Sequence, residues 1–550
     1  MRQCLAEEFS SIYVFHLRGN QRTSGDVSRR EGGKIFGSGS RAPIAISLLV
    51  KNPQAKQHGK IHIHDIGDYL NREEKLTIIR EFASTAGIGL VNGWQTVVPD
   101  SHGDWLKQRD GSFSNFIVMG DKKGDAPKVF ENYSLGIATG RDTWCFNASK
   151  SNVLRSMGGM VDFYNAERKR FNSAHAGHDR KARESAAESF INTDATCISW
   201  TRALKSDLAK DKEFDFNPDC ITKSLYRPYS KQWLYFDRCF NEMVYLMPRL
   251  YPAQAAGNLA IMIKGNWRGE GQLALMVDRP VCLQPDGGGQ CFPLYLYDKP
   301  EESGEDDLFG KNASTPTRRD AITDAGLSHF QRAYPAKGEG ETITKEDLFY
   351  YIYGLLHSPD YRSRYADNLG KELPRIPAVK TFADFMAFSK AGRELAHWHL
   401  NYETVECHPG VTVDLGTPSP SSASLLSPEM LYRVTKMKFG KKKDPATGKS
   451  VNDKTTVIYN EFITLRNIPL EAYDYIVNGK PALEWVMERQ AVTTDKDSGI
   501  TNDANLWATE TMGNPKYPLE LFLRVVTVGL ETNRIVAGLP ELEISVESSS

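Results

Sequence analysis

Residues 11–51 read SIYVFHLRGNQRTSGDVSRREGGKIFGSGSRAPIAISLLVK, two apolar runs bracketing a polar loop. The first run is Ile12, Tyr13, Val14, Phe15, His16 and Leu17; the second is Ile44, Ala45, Ile46, Ser47, Leu48, Leu49 and Val50. Both are short, bounded by turn residues and rich in β-branched or aromatic side chains, which predicts strands buried on two faces. The loop carries Arg18, Arg22, Arg29, Arg30, Lys34 and Arg41 against Asp26 and Glu31, with Gly32, Gly33, Gly37 and Gly39 around Phe36. A long, basic, glycine-rich loop on a rigid edge suits a polyanion, because flexible backbone can approach phosphates that the charges attract. A solvated surface loop accounts for the same composition. Residues 1–9 read as the end of an amphipathic helix. Helix, strand, loop and antiparallel return strand make the edge of a sheet, and two strands alone are marginal in water.

The same residues carry a resemblance. GNQRTSG (19–25) followed by GGKIFGSGSRAPIAISLLVKN (32–52) resembles the last motifs of the methyltransferase domain in Type ISP restriction–modification enzymes. These single polypeptides combine nuclease, helicase, adenine-N6 methyltransferase and target-recognition regions. Further similar stretches are HDIGDYLNREEKL (64–76), YRPYSKQWLYFDRCFNEMVYLMPR (226–249), QCFPLYLY (290–297), DLFYYIYGLLHSPDYRSRYADNLGKELPRIP (347–377) and GKPALEWVMERQAVTTDKDSGITND (479–503). They keep their order across nearly the whole chain. The resemblance implies a mixed α/β (α+β) protein. Residues 1–56 would be the C-terminal edge of the methyltransferase sheet and 57–300 the first lobe of a target-recognition region; a polar linker at 301–320 would lead to a second lobe at 321–550. It implies double-stranded DNA as partner, and the missing methyltransferase and helicase portion in cis or trans. S-adenosylmethionine, ATP and magnesium are implied only for the complete enzyme, with no cofactor in this chain. The loop with Arg22, Lys34, Phe36 and Arg41 would lie beside the target-base pocket.

Size and composition agree with such a part. A chain of 550 residues suggests two to four domains. Hydrophobic content of 40% and charged content of 25% are those of an ordinary soluble protein. Net charge is −1, so nucleic-acid binding must come from local patches and not from a global field. Eight scattered cysteines without a Cys-x-x-Cys indicate reduced thiols and a cytoplasmic setting. Glu7 and Glu8 stand where a signal peptide needs an apolar core, and LELFLRVVTVGL (519–530) is interrupted by Arg524 and too short to span a bilayer, so no membrane role is expected.

Along the chain, KIHIHDIGDYL (60–70) alternates, and Asn71-x-x-Glu74 predicts a capping box opening a helix. Residues 153–189 read as helical with a solvated charged face, 226–300 as strands, and 301–320 as a disordered linker low in apolar content. Helices are expected over 345–366 and 381–400, a Ser/Pro loop over 417–429, and a closing helix from Pro518 with Leu519, Phe522, Val526 and Leu530 on one side.

The strongest charge feature is RVTKMKFGKKKDPATGKSVNDK (433–454). Arg433, Lys436, Lys438, Lys441, Lys442, Lys443, Lys449 and Lys454 face only Asp444 and Asp453; eight bases less two acids leave +6. YRVTKMKF and KTTVIYNEF both alternate around a Gly/Pro/Asp turn, which predicts a hairpin with Val434, Lys436 and Lys438 on one face and Thr435, Met437 and Phe439 on the other. Such a ribbon can enter a DNA major groove while its lysines neutralise phosphates; a solvated hairpin whose edge lysines block aggregation is the plainer alternative.

Other motifs fail on context. Gly448-Lys449-Ser450 ends like a nucleotide-binding loop, but Lys443 stands where the first glycine is needed. Asn514-Pro515-Lys516-Tyr517 resembles the adenine-methyltransferase Asn-Pro-Pro-Tyr motif with Lys in place of the second Pro, and reads as a turn before the last helix. His62/His64 and His397/His399 lack cysteine or carboxylate partners at ligand spacing and read as structural. Three functions follow as expectations: sequence-specific DNA recognition without a complete catalytic site in this chain, an adenine methyltransferase with a divergent site at Asn514–Tyr517, or a non-binding scaffold.

Overall fold

The computed structural model describes residues 1–21, 31, 35–36, 41–252, 257–264, 274–283, 288–298, 316–335, 342–416, 426–445 and 448–545. Helix α1 (Arg2–Glu8) leads into strand β1 (Ser11–His16), which pairs antiparallel with β2 (Ala45–Val50) and parallel with β3 (Lys60–Asp65). The helix α2 (Arg72–Phe82) follows, and β4 (Gln95–Val97) completes the sheet order β2-β1-β3-β4. Strand alternation sends Ile12, Val14, Ile61 and Ile63 to a small core beneath Leu5 and Phe9, and Phe15 to the opposite face with Phe82, Ile88 and Trp94. The expected capping box opens α2: Asn71 Oδ1 accepts from the Glu74 amide at 3.0 Å and Glu74 Oε2 from the Asn71 amide at 2.7 Å.

Strand β2 corrects the expectation of burial on two faces. All six of its residues are exposed, Ile46 and Leu48 to about half of their surface. Among the described residues its only strand neighbour is β1. An apolar run encodes the readiness to be buried; burial itself depends on what packs against it.

From Phe113 to Ile535 one continuous apolar cluster ties the remaining elements together. Helix α3 (Lys150–Ala174) lies against the hairpin of β5 (Ile221–Arg227) and β6 (Ser230–Tyr235). Strand β7 (Ala260–Lys264) pairs with β8 (Ala274–Val277) and β9 (Gly289–Pro293), and its residues Ala260 to Ile263 are fully buried. The cluster draws on both sides of the 301–320 segment. Strand β10 (Tyr295–Asp298) pairs antiparallel with β11 (Thr317–Asp320), Asp298 opposite Thr317.

The β11 strand is a second correction, because residues 317–320 belong to a sheet and not to a disordered linker. Its charges have partners: Arg319 bonds Glu131 at 2.8 Å and Asp298 at 2.5 Å, and Arg318 lies 4.4 Å from the Tyr295 ring centre. The expected linker residues 301–315 lie outside the described residues, as do 417–425 of the Ser/Pro loop.

Helices α4 (Lys345–Leu355) and α5 (Phe382–Leu400) cross with their backbones in contact. A Cβ at Gly354 would lie 2.2 Å from the Phe388 carbonyl oxygen, and one at Gly392 would lie 1.9 Å from that of Tyr350. Two hairpins follow, β12 (Lys438–Lys443) with β13 (Ser450–Ile458), and β14 (Val492–Thr494) with β15 (Thr501–Asp503). Helix α6 (Tyr517–Ala537) closes the body with Pro518 in its first turn. Leu519, Phe522 and Val526 are buried as expected, and Leu521, Val525 and Val528 are buried too. Each such side chain contributes about 1.5–3 kcal/mol relative to exposure.

Asp104 clasps the N-terminal sheet to the body. Its carboxylate is 1% exposed and meets Arg2 of α1 at 2.5 Å, Arg109 at 3.3 Å and Lys371 at 2.7 Å. Burial alone would raise this carboxyl's pKa; the bond and charge of Lys371, with the charge of Arg2, outweigh it and hold the group below the usual range.

Candidate nucleic-acid interface

The basic ribbon forms and is anchored at its root. Pairing runs Phe439 with Val457 and then Gly440 with Asp453, so Lys454, Thr455 and Thr456 bulge from β13. A Cβ at Gly440 would meet the Thr456 Cβ at 2.9 Å, which is why glycine stands there. Phe439 packs on Tyr473 at 5.9 Å between ring centres, and Lys454 lies over both rings while pairing Glu484 at 3.2 Å. Beyond this root, Lys441, Lys442 and Lys443 are exposed on the ribbon's far end.

The first half of the expected strand is not strand. Val434 and Met437 are both buried, whereas Lys436 and Lys438 are exposed, so Val434 does not share a face with the two lysines. The cause is a single side chain: Asn505 accepts from the Val434 amide at 2.9 Å and donates to its carbonyl at 2.8 Å. Thr435 offers its carbonyl to the Val492 amide at 3.0 Å. Residues 433–437 therefore run beside the β14–β15 hairpin, not along β13.

Pairing thins the charge of the patch. Arg433 meets Asp503 at 2.6 Å, Lys442 meets Asp453 at 3.6 Å, and Lys441 donates to Asn452 Oδ1 at 2.6 Å. Setting Asp503 and Glu484 beside Asp444 and Asp453 makes four acids against eight bases, a net of +4. Lys436, Lys438 and Lys443 are exposed and form no ion pair with a described residue. Lys449 is exposed in the turn, where its carbonyl accepts from the Asp444 amide at 2.9 Å.

Three further cations join this side from distant parts of the chain. Trp233 of β6 stands opposite Lys223 of β5 and opposite Asn147 on its other neighbour. Lys150 and Lys223 lie 5.2 and 5.5 Å from its ring centre, the geometry of cation–aromatic attraction. Trp233 packs 5.9 Å from Trp507 and donates Nε1–H to Thr511. Lys516 lies 5.1 Å over Tyr432. The hairpin β14–β15 bridges the two cation groups: Asn502 Oδ1 accepts from the Ala148 amide at 2.9 Å and Asn147 donates to the Thr501 carbonyl at 3.0 Å. Lys150, Lys223 and Lys516 escape linear reading because each is a lone lysine in sequence, and only strand pairing and helix docking assemble them.

Of the N-terminal loop, Arg22 and Lys34 lie outside the described residues. Phe36 is 63% exposed and Arg41 is exposed, its carbonyl accepting from the Gln21 amide at 3.0 Å. Neither makes a hydrogen bond or ion pair with the ribbon among the described residues. Arg18 is spent locally, doubly bonded to Asp65 at 2.7 and 2.6 Å and bonded to Asp68 at 2.7 Å.

The side chains of the other motifs have partners within the fold. Tyr517 is buried and donates its hydroxyl to Glu403 at 2.5 Å, which also holds Lys231 at 2.5 Å; Asn514 donates to Glu520 at 2.9 Å. His62 and His64 stack on Tyr13 and Phe15. His399 is buried between the Tyr353 hydroxyl at 2.5 Å and Thr532 at 3.0 Å, stacked on Tyr475. The charged helical face at 168–183 is partly paired, with Arg168 on Asp211 and Glu213, Arg170 on Glu167 and Arg180 on Glu184, while Lys169 and Lys181 are exposed. Among the described residues no helix is long and apolar enough to cross a membrane.

Residues 128–521 match the family model of the Type ISP C-terminal specificity domain. Three solved structures resemble the chain over 99% of its length. A nuclease-deletion mutant of the Type ISP restriction–modification enzyme LlaGI in complex with a DNA substrate mimic is 36% identical, with a TM-score of 0.79. The ATP-dependent Type ISP enzyme LlaBIII bound to DNA is 33% identical, with a TM-score of 0.80. An electron cryo-microscopy structure of a DrdV–DNA complex is 28% identical, with a TM-score of 0.76. The chain spans 38%, 32% and 49% of those three chains. No curated protein matches. The chain belongs to the Type ISP restriction–modification family and contains its C-terminal specificity domain.

Proposed function

We propose that this chain recognises the DNA target of a Type ISP restriction–modification enzyme in the cytoplasm, positioning duplex DNA for adenine-N6 methylation and cleavage performed by other parts of a longer protein. The observation that carries the reading is the side formed by the 438–458 ribbon, Arg433, Lys436, Lys150, Lys223 and Lys516, a concentration of exposed cations in a chain of net charge −1. The DNA complexes of LlaGI and LlaBIII add to its support. Fluorescence anisotropy with a labelled duplex tests it: salt-dependent binding is expected, and no binding at low salt counts against it.

The N-terminal sheet favours a companion reading, that the remaining methyltransferase and helicase portion packs on β2. Ile46 and Leu48 line an apolar recess of about 180 Å³ with Tyr13, Phe15, Phe82 and Trp94. On this reading S-adenosylmethionine, ATP and magnesium belong to that portion. Calorimetry of this chain with S-adenosylmethionine should show no site; a stoichiometric micromolar site would favour the divergent-methyltransferase alternative instead.

A further inference from the structure

The hairpin β14–β15 differs in kind from the lysine ribbon. Its strands pair from Val492–Asp503 to Thr494–Thr501, with the two threonine hydroxyls 2.9 Å apart. Its turn is closed by main-chain bonds from Asp495 to the Ile500 carbonyl and from Gly499 to the Asp495 carbonyl, both 3.0 Å. The Asp495 carboxylate accepts from the Ser498 amide at 2.9 Å and hydroxyl at 2.7 Å, and Gly499 takes the left-handed φ of +71°. The hairpin is thus rigid at both ends, fixed below by Arg433, Thr435, Asn147 and Ala148.

Its outer surface offers Thr493, Thr494, Lys496, Asp497 and Thr501, all exposed, a mixture of short donors and acceptors. The flanks instead offer cations, Lys436 next to the Thr435–Val492 contact with β14, Arg433 paired to Asp503 at the base of β15, and Lys150 and Lys223 beyond β15. After β15 a short helical turn (Ala504–Leu506) leads into a π-helical turn at Trp507–Thr511, an irregularity frequent at functional sites. A mixed polar ribbon between cationic flanks matches a duplex groove: the flanks can neutralise backbone phosphates while the ribbon reaches base edges. The major groove, about 12 Å wide, admits two strands. The lysine ribbon β12–β13 carries mostly donors at its tip, so it suits phosphates.

Resting on the DNA-recognition reading, we infer that β14–β15 reads base edges, with Lys496 and Asp497 at its tip as specificity-determining residues. Lys496 can donate to guanine O6 and N7, and Asp497 can accept from a cytosine amino group. The test is selection of bound duplexes from a randomised library by the whole chain, with Lys496→Ala, Asp497→Ala and Asp497→Asn alongside wild type. Wild type should enrich a motif. Both alanine variants should keep wild-type affinity for random duplex and the wild-type salt slope, yet lose preference by about tenfold at one or two positions of the motif. Asp497→Asn, which adds a donor, should change the preferred base there. Unchanged motifs from all three variants would overturn the inference while leaving DNA recognition intact. A wild-type chain that binds no duplex, or binds without enriching a motif, would overturn both.

Discussion

Replacing Lys441, Lys442 and Lys443 together with alanine separates a DNA-contacting ribbon from a solvated edge. The three lysines are exposed at the far end of β12, but they are not equal. Lys443 has no ion partner among the described residues, Lys441 is tethered only to the neutral Asn452, and Lys442 shares its charge with Asp453 at 3.6 Å. On the proposed reading the trio would neutralise about two phosphates. At about 0.9 log units of salt slope per phosphate, the triple variant should be shallower by about 1.8. Between about 50 and about 200 mM salt, the ratio of wild-type to variant affinity should then shrink by about 12-fold. The loss should be the same for specific and random duplexes, because phosphates carry no sequence. Exposed substitutions usually cost within about 0.5 kcal/mol, so the thermal midpoint should hold. Anisotropy titrations at three salt concentrations, with a thermal melt of each protein, give every quantity needed. A variant that keeps its midpoint together with wild-type affinity and salt slope refutes the reasoning, and the contact surface must then be sought around Lys150, Lys223 and the N-terminal loop.

Gly392→Ala should destabilise the body by about 2 kcal/mol: overpacking against the Tyr350 carbonyl costs about 3, offset by about 1 of helix propensity; urea unfolding checks it, and a midpoint at or above wild type would contradict the backbone contact. Burial first, and the charge of Arg362 second, lowers His399 to about 3 and His357 well below its usual value. Both stay neutral in the fold, so stability is complete above about pH 6.5 and is lost as pH falls from there towards the folded values. The loss is about 2 kcal/mol for His399 at pH 5, and His357 adds to it in the same direction; urea midpoints that do not move between pH 7 and pH 5 would contradict it. Phe36→Ala, made in the complete enzyme, should slow methylation more than it weakens duplex binding, by the loss of stacking worth about 1–3 kcal/mol; an unchanged methylation rate would remove Phe36 from the site.

Local chemistry was legible where it is decided locally. Asn71 and Glu74 cap α2 because the cap needs only four residues, and Pro518 opens α6 for the same reason. The apolar run of β7 likewise announced a strand that is buried over Ala260 to Ile263, and α5 a helix that buries one face. What escaped depended on partners far along the chain. Val434 reads as a strand residue, but its backbone is taken by Asn505, and only the folded chain brings them together. Strand β2 reads as buried because its residues are apolar, yet its faces are open. The ribbon's +6 falls to +4 through Asp503 and Glu484, which sequence distance hides. Trp233 was visible as an aromatic in a strand, whereas its lysine neighbours were not.

The pairing of β10 with β11 fixes two points of the chain next to each other, Asp298 opposite Thr317, with Arg319 pinned to Glu131 and Asp298. Whatever joins those two points starts and finishes at one place on the body. Its length is therefore decoupled from the core, since each doubling of a closed loop costs only about 0.6 kcal/mol. For the experimenter this excursion is the natural insertion point for an affinity tag or a fluorescent reporter, reached without touching either hairpin.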